Sequence, residues 1–194
     1  MKKKLTVLSI LLLCILVPVL ADSSTRFGMN GSYNNITGKP EMGMYMTTSF
    51  VDGRTPGPVH LGFGMRMEMD ATLPLERMDV DFITGLALDF KLRHNWGLEL
   101  IVGPAFGVST PFSPGTDEGM TVGGGVEFAA TYFLDGNRTS GINFGIAGSG
   151  GMYLPDSTDA AASPYGKITG FFGFTFRSNH HSMFYESNDI YMTL

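Results

Sequence analysis

The sequence predicts an all-β protein, an eight-stranded antiparallel up-and-down β-barrel. Eight segments alternate between apolar and small or polar residues with a period of two, which is the period of side chains on a β-strand. The chain contains 26 glycines, and each interior glycine costs a helix about 1 kcal/mol relative to alanine. Since no window has the period of an amphipathic helix, these observations favour strands throughout.

The N-terminus has the three parts of a cleavable signal peptide. Lys2–Lys4 form a basic region, Leu5–Leu20 form an apolar run, and Val19 and Ala21 occupy the minus-three and minus-one positions of a cleavage site. We therefore predict a signal peptide at residues 1–21. A transmembrane anchor is the alternative, but the run is short for one and contains Pro18.

Removal of this signal makes the chain more acidic. Lys+Arg falls from 13 to 10 because the three N-terminal lysines leave, Asp+Glu stays at 18, and the formal charge moves from −5 to −8. Cys14, the single cysteine, also leaves. The sequence thus predicts an exported, thiol-free protein with one domain, and its acidity argues against nucleic-acid binding.

The eight alternating segments define the expected strands in order, separated by turns rich in glycine, proline and aspartate. They are Thr25–Tyr33, Met42–Val51, Val59–Asp70, Asp79–Arg93, Trp96–Ser109, Met120–Leu134, Gly141–Leu154 and Tyr165–Arg177. Pro104 interrupts the fifth segment. Because proline cannot donate a backbone hydrogen bond, we expect a bulge or a locally broken pairing there.

Each segment has one apolar face. In the first four it consists of Phe27, Met29 and Tyr33; Met42, Met44, Met46 and Phe50; Val59, Leu61, Phe63, Met65, Met67 and Met69; and Val80, Phe82, Leu86, Leu88, Phe90 and Leu92. In the last four it consists of Trp96, Leu98, Leu100, Val102 and Phe106; Val122, Val126, Phe128, Tyr132 and Leu134; Ile142, Phe144, Ile146, Met152 and Leu154; and Ile168, Phe172, Phe174 and Phe176.

The opposite faces are rich in Gly, Ala, Ser and Thr with sparse charges, which suits an inner wall better than a water-facing surface. We therefore predict that the apolar faces meet lipid and that the small faces line a lumen. Strands of this length can cross a bilayer, and closing the sheet leaves no unpaired edge in hydrocarbon. A soluble periplasmic lipid-binding barrel is the alternative.

In this pattern residues 25–177 resemble the small eight-stranded bacterial outer-membrane barrels, of the OmpX, OmpW and OmpA membrane-domain type. The resemblance implies integral residence in the outer membrane, with its lipid as a partner. Phe172, Phe174 and Phe176 resemble the aromatic-rich last strand through which such proteins meet the barrel-assembly machinery. The barrel domain is then 22–177, and 178–194 is predicted to be a periplasmic tail, with a ninth strand at Met183–Leu194 as the alternative.

Connection lengths suggest an orientation. The odd-numbered connections, 34–41, 71–78, 110–119 and 155–164, are longer than 52–58, 93–95 and 135–140. Outer-membrane barrels have long extracellular loops and short periplasmic turns. This predicts that the odd-numbered connections lie outside the cell.

The expected inward charges are Arg26, Arg66, Lys91, Lys167 and Arg177 against Asp81, Asp89, Glu68, Glu99 and Glu127. This balance predicts a packed, mutually paired interior, since buried charges are tolerated when paired. The candidate lumen charge network comprises Arg66, Glu68, Asp89, Lys91, Glu99, Glu127 and Lys167, with Arg66–Glu127 and Lys167–Glu99 as suggested pairs. A gated pore and a static plug are both compatible with it, and the plug is favoured.

No catalytic, cofactor or metal site is predicted. His60, His94, His180 and His181 all fall on the periplasmic side of this topology, so a Ser/His pair at the outer rim is missing. The leading hypothesis is a narrow passage for ions or small, including apolar, solutes. The alternative is a non-conducting structural barrel or one that binds an extracellular partner, although short outer loops disfavour adhesion.

Overall fold

The computed structural model describes residues 23–51, 57–92, 95–112, 118–156 and 161–178. They form a closed antiparallel barrel in which each strand pairs with its sequence neighbours and β1 pairs with β8. The strands are β1 (Ser23–Asn34), β2 (Pro40–Val51), β3 (Val59–Thr72), β4 (Arg77–Lys91), β5 (Trp96–Pro111), β6 (Gly119–Phe133), β7 (Ser140–Pro155) and β8 (Ser163–Ser178). The predicted fold class and all eight strands are confirmed.

Parts of the prediction fall outside the described residues. These are the signal peptide, the possible ninth strand and all of the tail except Ser178, which belongs to β8. Among the residues that are described, no helix has both the length and the apolarity required to cross a membrane.

The two-residue alternation places the two faces as expected. Phe27 pairs with Met46 and Met29 with Met44 on the outside, whereas Arg26 pairs with Thr47 on the inside. Outward apolar side chains are exposed or half-exposed, reaching 64% at Met44. Leu92 is the exception: it follows the end of β4 and is buried. The barrel therefore has an apolar outer wall and a polar lumen.

The ladder between β4 and β5 is interrupted beside Pro104. Ile83 pairs with Ala105 and Leu86 with Val102, but Thr84 and Gly85 make no pairing with β5. On its other side, Pro104 lies opposite Gly124 of β6 within a continuous ladder. The predicted local break is confirmed, on the β4 side, because proline has no N–H to donate to the neighbouring strand.

The connections are nearly equal in length at the two ends of the barrel. One end, where β1 begins and β8 finishes, is called the N-terminal end; its connections are 52–58, 92–95 and 134–139. Those at the opposite end are 35–39, 73–76, 112–118 and 156–162. The predicted difference in length is wrong, because the strands extend into residues that their polar composition suggested were loop.

The turn at 134–139 is organised by one carboxylate. Asp135 accepts hydrogen bonds from the Thr139 hydroxyl and from the backbone N–H groups of Thr139 and Ser140. These bonds, with the Thr139 hydroxyl first, hold the pKa of Asp135 below its ordinary value. The sequence Asn137–Thr139 therefore belongs to a tight turn.

Small residues on the inner wall provide space for longer side chains. At Gly107, a Cβ would overlap the carboxylate of Asp81 and the hydroxyl of Thr121. An apolar cluster that includes Tyr45, Ile101 and Phe171 fills part of the same interior. The glycine-rich face therefore makes room for a packed lumen, as the sequence predicts.

The barrel lumen as candidate functional site

A continuous chain of ion pairs crosses the lumen. Arg26 of β1 bonds to Glu127 and lies 2.7 Å from the Glu99 carboxylate. Arg66 of β3 lies 3.0 Å from Glu127 and 2.6 Å from Glu68. These side chains are almost completely buried, with exposures of 0–6%. Glu127 is therefore shared between two arginines on different strands.

Hydroxyl groups support these carboxylates. Thr47 Oγ1 donates to Glu127 Oε2 over 2.8 Å, and Ser49 Oγ donates to Glu99 Oε2 over 2.9 Å. Both hydroxyls come from β2, whose inward face contributes small polar residues. A hydrogen bond to a carboxylate is stronger than one between neutral groups, so β2 stabilises the position of both side chains.

Arg66 also packs against two aromatic rings, whose centroids lie 4.7 Å from each other. Its guanidinium carbon lies 4.6 Å from the Tyr45 ring centroid and 4.3 Å from that of Phe171. The two rings come from β2 and β8, which places them on either side of β1. Cation–π contacts of this kind are stronger when desolvated, so they restrict Arg66 to one position in the middle of the lumen.

Lys167 lies in a group of carboxylates nearer the opposite end. Its Nζ is 2.5 Å from Asp81, 2.6 Å from Asp70 and 3.3 Å from Glu68, and Glu41 follows at 3.8 Å. Through Glu68 this group connects to Arg66 and the central pairs. One ammonium group thus faces four buried carboxylates.

A separate pair lies toward each end of the lumen. Arg177 bonds to Asp89 over 2.9 Å at the N-terminal end, and Arg77 bonds to Asp79 over 2.8 Å at the opposite end. His60 is buried near the first of these and lies 3.1 Å from the Gly57 carbonyl oxygen. The lumen is therefore lined by charges from one end to the other.

The structure brings most of the sequence-predicted residues together. Arg66 and Glu127 form the suggested pair. The pairing of Lys167 with Glu99 is wrong: Glu99 contacts Arg26, whereas Lys167 contacts acidic residues of β2, β3 and β4. Asp89 lies in the pair at the N-terminal end, and Lys91 is half-buried at the last residue of β4.

Four charged lumen residues were missed by the sequence analysis: Glu41, Asp70, Arg77 and Asp79. Each lies near a strand end at the opposite end of the barrel. Glu41 and Arg77 fall in segments whose polar composition predicts loop, whereas Asp70 and Asp79 are terminal residues of predicted strands. Their positions nevertheless continue the inward alternation, since Glu41 precedes the inward Gly43 by two and Asp79 precedes Asp81 by two. Extending the second predicted strand by one residue and the fourth by two brings in Glu41 and Arg77, and the same alternation carried to the strand ends brings in Asp70 and Asp79.

These additions remove the expected charge balance. Eight buried carboxylates line the described lumen: Glu41, Glu68, Asp70, Asp79, Asp81, Asp89, Glu99 and Glu127. Arg26, Arg66, Arg77 and Lys167 are the buried cations, and Arg177 and Lys91 are half-buried at the N-terminal end. The acidic excess therefore lies toward the opposite end.

The outer wall has a different chemistry. Apolar side chains on every strand are exposed, including Phe172 at 62% and Ile146 at 59%. Aromatic rings on neighbouring strands contact each other on this wall. Phe82 and Phe106 are stacked, with their ring centroids 5.1 Å apart. Trp96 and Tyr132 meet at 5.2 Å near the N-terminal end. A water-facing barrel rarely presents so large a contiguous apolar surface.

Comparison with solved structures identifies this architecture. Neisserial surface protein A matches with a TM-score of 0.57 and 8% identity over 81% of this chain and 96% of that protein. Ail, the attachment invasion locus protein of Yersinia pestis, matches with 0.51 and 11% over 81% and 99%. OprG, an outer-membrane protein of Pseudomonas aeruginosa, matches with 0.50 and 9% over 82% and 96%.

The chain has the fold of the small eight-stranded outer-membrane barrels. No protein-family model and no curated protein sequence matches it. The identities of 8–11% therefore establish a shared fold and leave the function to be argued from this barrel's own residues.

The lumen of this outer-membrane-type barrel is closely filled. A cavity of about 10 Å³ is lined by residues that include Asp81, Thr121 and Tyr165, and a volume of this size accommodates about one water molecule. The described part of the lumen is therefore a packed network of paired charges with little free volume.

Proposed function

We propose that this protein is an integral outer-membrane barrel whose resting lumen is closed to ions and solutes. The chain of buried ion pairs from Glu99 to Lys167 supports the closed lumen. Every charge in it is already paired with protein groups, so a permeating ion would have to break contacts made in a low-dielectric interior. Solutes would then not pass through the barrel, and any contact with lipid or other molecules would be made by its outer wall and its two ends.

The outer wall supports residence in a membrane. All eight strands carry exposed apolar side chains on this wall. Each strand also has at least the 9–11 residues that a tilted strand needs to cross a bilayer. The barrel pairs every strand on both sides, which satisfies the backbone where no water is available. Together with the export signal, these features favour the outer membrane over the periplasm.

Cell fractionation tests the location. We expect the protein to need detergent for extraction from the membrane fraction and to migrate differently on gels before and after heating. Release by osmotic shock without detergent would contradict membrane residence and support the soluble periplasmic barrel.

Planar-bilayer recording of the refolded protein tests the closed lumen. We expect insertion without a stable unit conductance, and no uptake of small solutes into liposomes that contain the protein. A reproducible unit conductance would overturn the closed state and favour the narrow-passage hypothesis. Glu127→Ala provides an internal comparison, because removal of the shared carboxylate should make rare openings more frequent.

The surface-binding alternative has less support. The connections at the opposite end are 35–39, 73–76, 112–118 and 156–162, so they offer little surface beyond the strands. A structural role, or a role that involves the lumen itself, fits this compact shape better than adhesion through long loops.

A further inference from the structure

The acidic excess at the opposite end of the lumen needs a counter-charge. Five buried carboxylates are found there: Glu41, Glu68, Asp70, Asp79 and Asp81. Lys167 and Arg77 face them, and Arg66 is shared with Glu127. Isolated buried charges are strongly unfavourable, so this end either takes up protons or binds cations.

Three of these carboxylates have the geometry of a cation site. One oxygen each from Glu68, Asp70 and Asp81 lies within 4.8 Å of the other two, and all three residues are buried. Calcium binds oxygen ligands at about 2.3–2.6 Å, so two of its ligands lie at most about 5.2 Å apart. The three oxygens can therefore share one such ion.

A buried amide oxygen beside them lacks a partner. Asn30 is 4% exposed, and its Nδ2 donates to Asp70 Oδ1 over 2.6 Å. Its Oδ1 accepts no hydrogen bond within the described part of the chain. Buried acceptors are normally satisfied, and amide carbonyl oxygens are typical ligands of hard cations. This atom is an independent indication of a ligand next to Asp70.

The Lys167 ammonium occupies the centre of the same group. It lies 2.5 Å from Asp81 and 2.6 Å from Asp70, whereas Glu41 is 3.8 Å away, toward the barrel mouth. Lysine carries a compact charge on a flexible stem. It can therefore leave these two carboxylates for Glu41 without leaving the acidic group.

We propose that Glu68, Asp70, Asp81 and the Asn30 side-chain carbonyl form a binding site for a divalent cation of the calcium type, which displaces the Lys167 ammonium toward Glu41. In the ion-free protein, Lys167 serves as the internal counter-ion. Glu41 is the second residue of β2, so the site lies just below the opposite end of the barrel and is reached from there. This inference goes beyond the closed-barrel proposal and does not depend on it.

Calcium titration of the full mature chain, refolded in detergent micelles and followed by calorimetry, tests the site. We expect one calcium ion per barrel. Lys167→Met should tighten binding by about tenfold or more, because it removes the competing charge, and Asp70→Asn should weaken binding by about tenfold or more, because it removes a charged ligand.

Two matched controls have the same chemical change elsewhere. Lys39→Met alters the exposed Lys39–Glu76 pair, and Asp89→Asn alters a buried aspartate at the N-terminal end. Both should leave calcium affinity unchanged. Equal effects of Asp70→Asn and Asp89→Asn would overturn the assignment, as would the absence of calcium binding by folded wild-type protein. Proton uptake at this end without calcium binding would also overturn it.

A luminescence measurement locates the ion without a charge substitution. Tyr165 lines the same cavity as Asp81 and can sensitise bound Tb³⁺, whereas Tyr33 faces outward. We expect Tyr165→Phe to reduce tyrosine-excited Tb³⁺ emission and Tyr33→Phe to leave it unchanged. If Lys167→Met failed to fold, this pair would still decide the proposal, because equal emission from both variants would contradict it.

Discussion

Glu127 shows how a single side chain can organise the interior. Its carboxylate bonds to Arg26, Arg66 and Thr47, and it is completely buried. If it were neutralised, Arg26 would retain Glu99 and Arg66 would retain Glu68, but each would lose one of two acidic partners. The contribution of this residue to stability is therefore larger than that of an exposed ion pair.

Glu127→Gln should lower the free energy of unfolding by about 3–5 kcal/mol, the range found when one partner of a buried ion pair is removed. Urea titration of the refolded barrel in phospholipid measures it. The matched substitution Glu76→Gln, in the exposed Lys39–Glu76 pair, should cost at most about 1 kcal/mol. Equal losses would show that water reaches the central network.

A charge introduced on the outer wall should also lower the free energy of unfolding, but through contact with lipid and not through a lost ion pair. Phe128 is 44% exposed and faces outward in the middle of β6. In lipid, Phe128→Lys should destabilise the barrel by about 2–4 kcal/mol because its ammonium group would enter hydrocarbon. Phe128→Leu is the control, and unfolding in phospholipid measures both. If both variants unfolded alike, the outer wall would not be in lipid.

The side of the sheet to which a residue points does not by itself predict whether a substitution there is tolerated. Gly62 lies on the small, lumen-facing side of β3, so alternation alone predicts that Gly62→Ser is mild. The structure indicates that this substitution is costly. A Cβ at Gly62 would overlap the Phe50 carbonyl oxygen of the neighbouring strand. Alternation predicts the side to which a residue points. The close approach of two backbones depends on the twist and curvature of the whole sheet, which a local sequence pattern does not predict.

At the level of the strand, most of the structure was predictable. Alternation in β3 identifies which of its side chains lie outside, and the missing N–H of Pro104 identifies where the β4–β5 ladder breaks. Strand ends were not predictable, because Glu41 and Arg77 are polar residues at positions where either a loop or a wet lumen would accept them.

The broken ladder should be the point of fastest exchange in β4. Thr84 and Gly85 lack pairing with β5, whereas Phe82 and Ala87 on either side are paired. We expect the amide hydrogen of Thr84, which lies opposite Pro104, to exchange faster than its neighbours in detergent micelles, as measured by NMR. Pro104→Ala restores a backbone donor and should reduce the difference. Uniform exchange along β4 would contradict a local opening.

For the whole molecule, sequence could indicate a charged lumen but not its partners. Arg26 of β1 contacts residues of β5 and β6, which lie on the far side of the barrel. Such contacts depend on the stagger of all eight strands, which only the closed barrel defines. For this reason Arg66–Glu127 was a correct pair and Lys167–Glu99 an incorrect one, although both satisfied the same alternation.

Orientation is a further property of the whole barrel, and the nearly equal connections do not decide it. From the predicted signal peptide and the even strand number, we expect the N-terminal end to lie in the periplasm. Cys14 is the single cysteine and lies in the predicted signal peptide. After its removal, Leu75→Cys at the opposite end should react with a membrane-impermeant maleimide on intact cells. Gly136→Cys should react only after permeabilisation. If Gly136→Cys reacted on intact cells and Leu75→Cys only after permeabilisation, the barrel would have the opposite orientation.

The cross-lumen ion pairs also bear on the order of assembly. Lys167 belongs to the last strand, yet its partners lie on β2, β3 and β4, and Arg26 of the first strand meets carboxylates more than halfway around the sheet. The pairs that Lys167 and Arg26 make across the lumen form only when the sheet closes. Contacts between residues so distant in sequence slow folding. Here they also couple the final pairing of β1 with β8 to the burial of the whole charge network. Closure is therefore concerted, because a half-built sheet would present unpaired charges to the bilayer.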